Sequence, residues 1–135
     1  MLDIKSQNLK VGMYIRLSRE DGDKQESESI SNQRNILQRY VKENDLCFVK
    51  EYVDDGVSGT TFDRPGFNEM LQDIENKNIN MVITKDLSRL GRDYIKTGFY
   101  IEDYFPKNNV RYVAITDGID TYLAVSYTHL TLPTT

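Results

Sequence analysis

The chain has 135 residues, of which 39% are hydrophobic and 28% are charged, and this composition fits one compact domain with its own core. A formal net charge of -4 argues against a general nucleic-acid binder, because such domains carry a broad basic surface. No stretch approaches the ~20 apolar residues of a membrane-spanning helix, and residues 1–10 lack the apolar core of a secretory signal. We therefore expect a cytoplasmic protein with no membrane partner.

The chain is poor in metal-binding and redox-active side chains. Its one cysteine, Cys47, and one histidine, His129, cannot build the usual zinc site, and no carboxylate spacing resembles a calcium loop. The flanking residues Leu46 and Phe48 predict that Cys47 packs as a small hydrophobic side chain. We expect no metal ion, no other cofactor and no redox chemistry.

The first half of the chain alternates a strand, a helix and a second strand. Residues 11–17 are an apolar run that predicts a buried first strand, and Ser29 is the expected N-cap of a helix with one apolar face. Residues 47–53 predict the second strand. The following segment DDGVSGTTFDRPG, residues 54–66, contains the glycines and proline of a long irregular loop, and loops of this length are often functional.

The second half continues the alternation. Four apolar residues recur at i, i+3, i+4 and i+7 and predict one face of a second helix: Phe67, Met70, Leu71 and Ile74. Residues 81–84 predict a short buried strand, residues 94–105 a third helix and residues 110–115 a fourth strand. Three residues of the third helix are expected to face the core: Ile95, Phe99 and Phe105.

This βαβαβαβ order predicts an α/β fold of three layers, with a mostly parallel central sheet and helices on both faces. In open sheets of this kind, ligands bind beyond the carboxyl ends of the strands. Ser18 follows the first strand, the DDGVSG segment follows the second and KDLSRLGRD, residues 85–93, follows the third. We therefore expect these three loops to converge at one edge of the sheet.

The stretch YIRLS, residues 14–18, places an arginine and a serine on one face of the first strand. Side chains alternate along a strand, so Tyr14, Arg16 and Ser18 point to the same side. A serine hydroxyl is a weak nucleophile without a base, and no histidine lies nearby in sequence, which argues against a triad for acyl transfer. Guanidinium groups around the hydroxyl would instead lower its pKa and bind a phosphodiester, which favours phosphoryl transfer.

The basic residues of the chain concentrate after the third strand. Arg89 and Arg92 are three positions apart, and this spacing predicts that both lie on one side of a helical turn. Each feature also has an ordinary explanation, because a serine after a strand is most often a cap and an arginine-rich turn is usually a solvated face. The joint order of the motifs carries more information than any one of them.

Four segments follow one another along the chain: YIRLS at 14–18, SISNQRN at 29–35, DDGVSGTTFDRPGF at 54–67 and TKDLSRLGRD at 84–93. Together they resemble the catalytic domain of the serine recombinases, the resolvase and invertase family. The resemblance is strongest to the large branch of this family, which includes phage integrases and the recombinases of conjugative transposons. It covers residues 11–121.

The resemblance implies specific catalytic residues. Ser18 matches the nucleophile of the Y-x-R-x-S motif, which attacks the scissile phosphate and leaves a 5′-phosphoserine link and a free 3′-hydroxyl. Arg16, together with Arg89 and Arg92 of the R-L-G-R motif, matches the arginines that hold this phosphate. Because the covalent link conserves the phosphodiester energy, the resemblance implies chemistry without ATP or a metal ion.

Further residues are implied to contact the DNA phosphate or to support the site: Tyr14, Gln33, Ser58, Asp63, Arg64 and Ser88. Ser88 stands where small resolvases have an aspartate before the first arginine, as it does in the large branch. The acid next to Arg89 is therefore unassigned. The implied partners are double-stranded recombination sites, with a homodimer and a synaptic tetramer in the full-length protein.

The C-terminal residues depart from the family pattern. The last twelve, AVSYTHLTLPTT, carry no charge and fit no helical or strand period, which predicts a non-native tail over residues 124–135. We thus expect a lead-in at residues 1–10 and a catalytic domain at residues 11–123 that is truncated before the family's long dimerisation helix. We do not expect such a fragment to recombine DNA by itself.

Two other functions compete with this interpretation. One is a non-enzymatic α/β module in which the arginines bind a phosphate or nucleotide and Ser18 only hydrogen-bonds it. The chain lacks the glycine-rich phosphate-binding motif that such modules commonly place after the first strand. The other is an inactive or interfering recombinase fragment, which would require a surviving subunit interface.

Overall fold

The structure of the protein is a computed structural model that describes residues 9–17, 29–56 and 64–121. No helix within these ranges is long and apolar enough to cross a membrane. In chain order the elements are β1 (Lys10–Leu17), α1 (Ile30–Glu43), β2 (Cys47–Asp55), α2 (Pro65–Glu75), β3 (Met81–Thr84), α3 (Leu87–Leu90), α4 (Tyr94–Phe99), a π-helical turn (Tyr100–Tyr104), α5 (Phe105–Lys107), β4 (Arg111–Ala114) and β5 (Ile119–Asp120).

The strands form one sheet in the order β2-β1-β3-β4-β5. β1 pairs in parallel with β2 and β3, and β3 pairs in parallel with β4. Only β5 runs antiparallel, against β4, and its two residues were too few for a strand prediction from the sequence. The predicted mostly parallel sheet is confirmed.

The two faces of the sheet have separate apolar cores, because side chains alternate along each strand. α1 covers the first face, over a core of Leu9, Val11, Met13, Ile15, Leu37, Met81, Ile83 and Val113. α2 and α5 cover the second face, whose core includes Tyr14, Tyr52, Phe67, Met70, Ile74, Val82, Phe105 and Tyr112. Helices on both faces confirm the predicted three layers.

Helix α1 begins where its capping residue predicts. The Ser29 side chain accepts a hydrogen bond from the backbone N–H of Asn32 at 3.0 Å, which satisfies one of the free donors of the first turn. The buried face of this helix carries Leu37 and also a polar residue, Gln33. This buried glutamine belongs to the site described below.

The prediction that Cys47 packs as a small hydrophobic residue is wrong, because its side chain is exposed. β2 is the edge strand of the sheet, and its first four residues, from Cys47 to Lys50, are exposed. The local sequence contains the apolar residues of a strand but does not show that this strand lies at the edge.

The third predicted helix is interrupted. Ile95 and Phe99 were expected in the core but are 81% and 48% exposed, whereas Phe105 is buried as predicted. The π-helical turn lies between α4 and α5 and adds a residue to the helical repeat. Residues of α4 that are spaced from Phe105 as in a regular α-helix therefore do not lie on the same face as Phe105. Thr97 is the buried residue of α4 instead.

We expect Ser29→Ala to lower the free energy of unfolding by about 1 kcal/mol, because the first turn of α1 would lose its side-chain acceptor. Chemical denaturation monitored by circular dichroism measures this loss. Ser31→Ala, at an exposed position inside the same helix, is the matched control and should cost less. Equal costs for the two substitutions would contradict the assignment of Ser29 as the cap.

Candidate active site

The carboxyl ends of β1, β2 and β3 meet at one edge of the sheet, as the parallel pairing requires. The structure brings six of the predicted site residues together there: Tyr14, Arg16, Gln33, Arg64, Ser88 and Arg89. Three others, Ser18, Ser58 and Asp63, lie outside the described residues.

Arg16 and the segment of Arg89 bind each other reciprocally. Arg16 lies near the end of β1 and is fully buried. Its Nη2 donates to the backbone oxygen of Ser88 at 2.7 Å and its Nε to that of Arg89 at 3.3 Å. In return, Nη1 of Arg89 donates to the backbone oxygen of Arg16 at 2.9 Å. The end of β1 and the short helix α3 are thereby held together.

Gln33 fixes the main chain of Arg16 from the α1 side. Its Nε2 donates to the Arg16 backbone oxygen at 3.0 Å, and its Oε1 accepts from the Arg16 backbone N–H at 3.4 Å. Both ends of the buried amide are thus satisfied by one residue of β1. Gln33 thus fixes the main chain two positions before Ser18.

Arg64 extends this arrangement from α2. The side chain is fully buried, and its Nη2 donates to the backbone oxygen of Leu90 at 2.7 Å. Its Nη1 donates to the Tyr14 hydroxyl at 2.9 Å, and its Cζ lies 4.8 Å from the ring centroid of Phe67. Arg16 and Arg64 together therefore hold three consecutive carbonyls of residues 88–90.

The prediction that Arg89 and Arg92 share one side of a helical turn is wrong. α3 ends at Leu90, and Gly91, which caps it, has an extended backbone with φ 175°. Arg89 is buried, whereas Arg92 lies beyond the helix and is exposed. The two arginines differ in environment because α3 is only four residues long.

The four arginines form one positive cluster. Burial, together with the positive charges of Arg89, Arg64 and Arg92, lowers the pKa of Arg16 to about 10. A bound anion would offset this repulsion and favour the charged form of Arg16. The cluster is thus electrostatically suited to a phosphate group.

Asp86 supplies the acid next to Arg89 that the sequence left unassigned. Its Oδ1 accepts from the Ser88 hydroxyl at 2.7 Å and lies 3.6 Å from Arg89 Nε. Burial alone would raise the pKa of Asp86, but hydrogen bonds from Ser88 and Lys85 and the charge of Arg89 outweigh it and lower the pKa. The sequence signal for Asp86 was its place as N-cap of α3, a helix too short to show periodicity.

Asp54, at the end of β2, is the second acid that sequence reasoning missed. It is 4% exposed and accepts the Tyr14 hydroxyl at 2.7 Å. It also accepts the backbone N–H groups of Gly66 and Phe67 at 2.8 and 3.0 Å. The residue stands at the start of the segment that we interpreted as an irregular loop, where nothing in the sequence distinguishes it from Asp55.

The described part of the site contains guanidinium donors and carboxylates but no histidine. Among residues 9–17, 29–56 and 64–121, no three His, Cys, Asp or Glu side chains are grouped to hold a metal ion. The arrangement can bind an anion with several charge-assisted hydrogen bonds and can stabilise negative charge that develops on it.

We expect the guanidinium carbon of Arg16 to titrate with a midpoint near pH 10, measured by its ¹³C chemical shift. The folded-state pKa is depressed, so anion binding should raise it, and added sulfate should shift the midpoint upward. Arg34 is the matched control, because its hydrogen bond to Glu51 raises its pKa. An Arg16 midpoint as high as that of Arg34 would contradict the electrostatic interpretation.

Comparison with known proteins agrees with the geometry. The family model described as “Resolvase, N terminal domain” matches residues 11–131. The fold is similar to the N-terminal catalytic domain of TP901-1 integrase, with 31% identity, a TM-score of 0.78 and coverage of 91% of this chain and 89% of that one.

Two further crystal structures are similar. A resolvase family site-specific recombinase from Streptococcus pneumoniae is 26% identical, with a TM-score of 0.65 and coverage of 93% of this chain and 86% of that one. A serine recombinase from Sulfolobus solfataricus is 25% identical, with a TM-score of 0.59 and coverage of 91% and 80%. The chain belongs to the resolvase family, and its described residues have the fold of a serine recombinase catalytic domain.

Proposed function

We propose that this domain cleaves and rejoins DNA strands in site-specific recombination, with Ser18 as the nucleophile. The observation that carries the proposal is the buried cluster of Arg16, Arg64 and Arg89 at the edge of the sheet where β1 ends, two residues before Ser18. The Ser18 oxygen attacks the scissile phosphorus and the bond to the 3′ oxygen breaks, which leaves a 5′-phosphoserine and a free 3′-hydroxyl. Reversal with a new 3′-hydroxyl rejoins the strand.

The arginines have the chemistry that this step needs. Negative charge grows on the non-bridging phosphate oxygens in the transition state, and preorganised cationic donors stabilise it. Arg92 is exposed and its charge reaches Arg16, so it can approach a phosphate from the solvent side. Arg16 and Arg89 supply positive charge from within the protein. We assign these three residues and Ser18 as catalytic.

The remaining assigned residues support the site. Gln33 holds the main chain of Arg16, and Ser88 contributes its backbone oxygen to Arg16 and its hydroxyl to Asp86. Tyr14 and Arg64 form a further layer behind them. Ser58 and Asp63, which stand between β2 and α2 in the sequence, are assigned from the family motif alone.

The partners that follow are double-stranded DNA recombination sites, with a dimer on each site and a tetramer that joins two sites. By their names, the TP901-1 protein is an integrase and the Streptococcus pneumoniae protein is a site-specific recombinase. We propose the same class of activity in the cytoplasm for the complete protein that contains this domain, without a metal ion or other cofactor.

The complete recombinase should form a covalent adduct with DNA that carries its site, and Ser18→Ala should abolish the adduct. Arg16→Ala, Arg89→Ala and Arg92→Ala should each lower the rate of adduct formation by about 10² or more, because Arg92→Ala removes a donor to the transition state and the other two remove buried positive charge that stabilises it. Denaturing gel electrophoresis of labelled DNA measures the rate.

Arg34→Ala is the control for these substitutions, since the Arg34 guanidinium forms a partly exposed pair with Glu51 and not with the arginine cluster. It should leave the rate within about threefold of the unsubstituted protein. An adduct that persists in Ser18→Ala would overturn the nucleophile, and a loss below tenfold in an arginine variant would count against its phosphate contact.

A non-enzymatic phosphate-binding module remains the second candidate, because the same arginine cluster would serve it. This alternative predicts sulfate or nucleotide binding without any covalent adduct in the complete protein. The adduct assay therefore discriminates between the two functions.

We also propose that residues 124–135 are foreign to the protein and that the natural chain continues into a long amphipathic helix and a basic region. This proposal is based on the uncharged, threonine-rich sequence of the segment, which lies outside the described residues. Sequencing of the source DNA across codons 115–135 and beyond should reveal the longer reading frame. A stop codon directly after a genuine Thr135 would instead favour an inactive or interfering fragment.

A further inference from the structure

A chain of hydrogen bonds runs from a carboxylate on β2 to the main chain of α3. Asp54 Oδ2 accepts the Tyr14 hydroxyl at 2.7 Å, the Tyr14 oxygen accepts Arg64 Nη1 at 2.9 Å, and Arg64 Nη2 donates to the Leu90 oxygen at 2.7 Å. All three side chains are buried. A broken link here would therefore leave a polar group without solvent to replace its partner.

The direction of each hydrogen bond is fixed by counting protons. An arginine can only donate, so the Tyr14 oxygen must accept from Arg64 and must give its single proton to Asp54. Burial raises the pKa of Tyr14 well above its ordinary value, so the phenol keeps this proton. Asp54 is therefore the final acceptor in this chain of hydrogen bonds. Its carboxylate accepts hydrogen bonds with both oxygens, Oδ2 from Tyr14 and Oδ1 from Gly66.

Asp54 also caps α2, the helix that carries Arg64 before its first turn. Its Oδ1 accepts the Gly66 N–H at 2.8 Å and its Oδ2 the Phe67 N–H at 3.0 Å. A Cβ at position 66 would lie 2.9 Å from Asp54 Oδ2 and 3.0 Å from the Val53 backbone oxygen. The close approach of the carboxylate thus requires glycine at this position.

We propose that Asp54 is a positioning residue of the arginine cluster. Through Tyr14 and the first turn of α2, it fixes the Arg64 guanidinium, which in turn holds the Leu90 carbonyl next to Arg89. The proposal rests on the function proposed above, and it deepens that function by assigning a role to a residue that does not touch the DNA.

Two substitutions separate the links of this chain. Tyr14→Phe removes only the hydroxyl and keeps the ring, which packs edge-on against Phe67 with the two ring centroids 5.7 Å apart. In this variant Asp54 continues to cap α2. Asp54→Asn disturbs the cap of α2 in either orientation, because its amide NH₂ faces a backbone N–H of Gly66 or Phe67, and it disturbs the Tyr14 hydrogen bond when the NH₂ takes the place of Oδ2. Tyr14→Phe is therefore the cleaner test, and it also covers the case in which Asp54→Asn fails to fold.

The chain offers a matched control on the same helix. The Tyr52 hydroxyl donates to Asp73 Oδ2 at 2.6 Å, which also joins the sheet to α2 through a tyrosine and an aspartate. Asp73 lies toward the end of α2, away from Arg64. Tyr52→Phe therefore removes an equivalent bond outside the arginine cluster.

The first readout is the NMR signal of the Arg64 side chain in this chain. With both Nη groups held, rotation about the Nε–Cζ bond and exchange of the guanidinium hydrogens are slow. Tyr14→Phe and Asp54→Asn should accelerate them about tenfold or more, whereas Tyr52→Phe should not. Unchanged Arg64 signals in Tyr14→Phe would overturn the proposal.

The second readout is DNA cleavage by the complete recombinase. Tyr14→Phe should lower the rate constant of adduct formation at saturating DNA about tenfold or more and leave the Kd for DNA within about twofold, because a misplaced guanidinium affects the chemical step. Tyr52→Phe should cleave at the unsubstituted rate even if it loses similar stability. A cleavage rate in Tyr14→Phe equal to that of Tyr52→Phe would refute the positioning role.

If the unsubstituted protein forms no adduct, the proposed function fails, and the Arg64 signals still decide whether Asp54 positions the arginine.

Discussion

The structure depends on the burial of arginine side chains that donate hydrogen bonds to main-chain carbonyls. Arg16 and Arg64 are fully buried, and both direct N–H groups to consecutive backbone oxygens of residues 88–90. Burial of like charges is unfavourable, and it persists only where hydrogen bonds replace water. The contacts that compensate this cost also join β1, α2 and α3, so the edge of the sheet holds together through the same groups that carry its positive charge.

Carboxylates flank this cluster without neutralising it fully. Asp54 lies behind Tyr14, on the α2 side, and Asp86 lies beside Arg89 on α3. Arg16 donates to carbonyl oxygens, and burial and three neighbouring arginines lower its pKa. Positive charge thus lies at Arg16 on β1, where it would attract an anion most strongly. The two acids hold Tyr14 and Arg89 in place.

The fold could be predicted from the sequence because strand and helix patterns are local. The strands Lys10–Leu17 and Met81–Thr84 and the Ser29 cap follow from apolar runs and one capping residue. The exposure of Ile95 and Phe99 could not be predicted in the same way, because a π-helical turn changes the repeat between them and Phe105. The exposure of Cys47 depends on strand order, which a local pattern does not contain.

The site was predicted in part. The family motifs named Arg16, Arg89 and Gln33, and the structure brings them into contact. Asp54 and Asp86 were missed, since each acts through a contact between elements far apart in the chain or through a helix of four residues.

Arg16 recognises residue 88 through its backbone oxygen and not through its side chain. Evolution can therefore replace the side chain at position 88 without breaking the link between β1 and α3. The serine found there in place of the aspartate of small resolvases keeps this link, and the acid two positions earlier, Asp86, stands beside Arg89. In this chain, a contact made through a peptide group therefore separates two tasks: the backbone at position 88 joins β1 to α3, and the carboxylate beside Arg89 comes from another position.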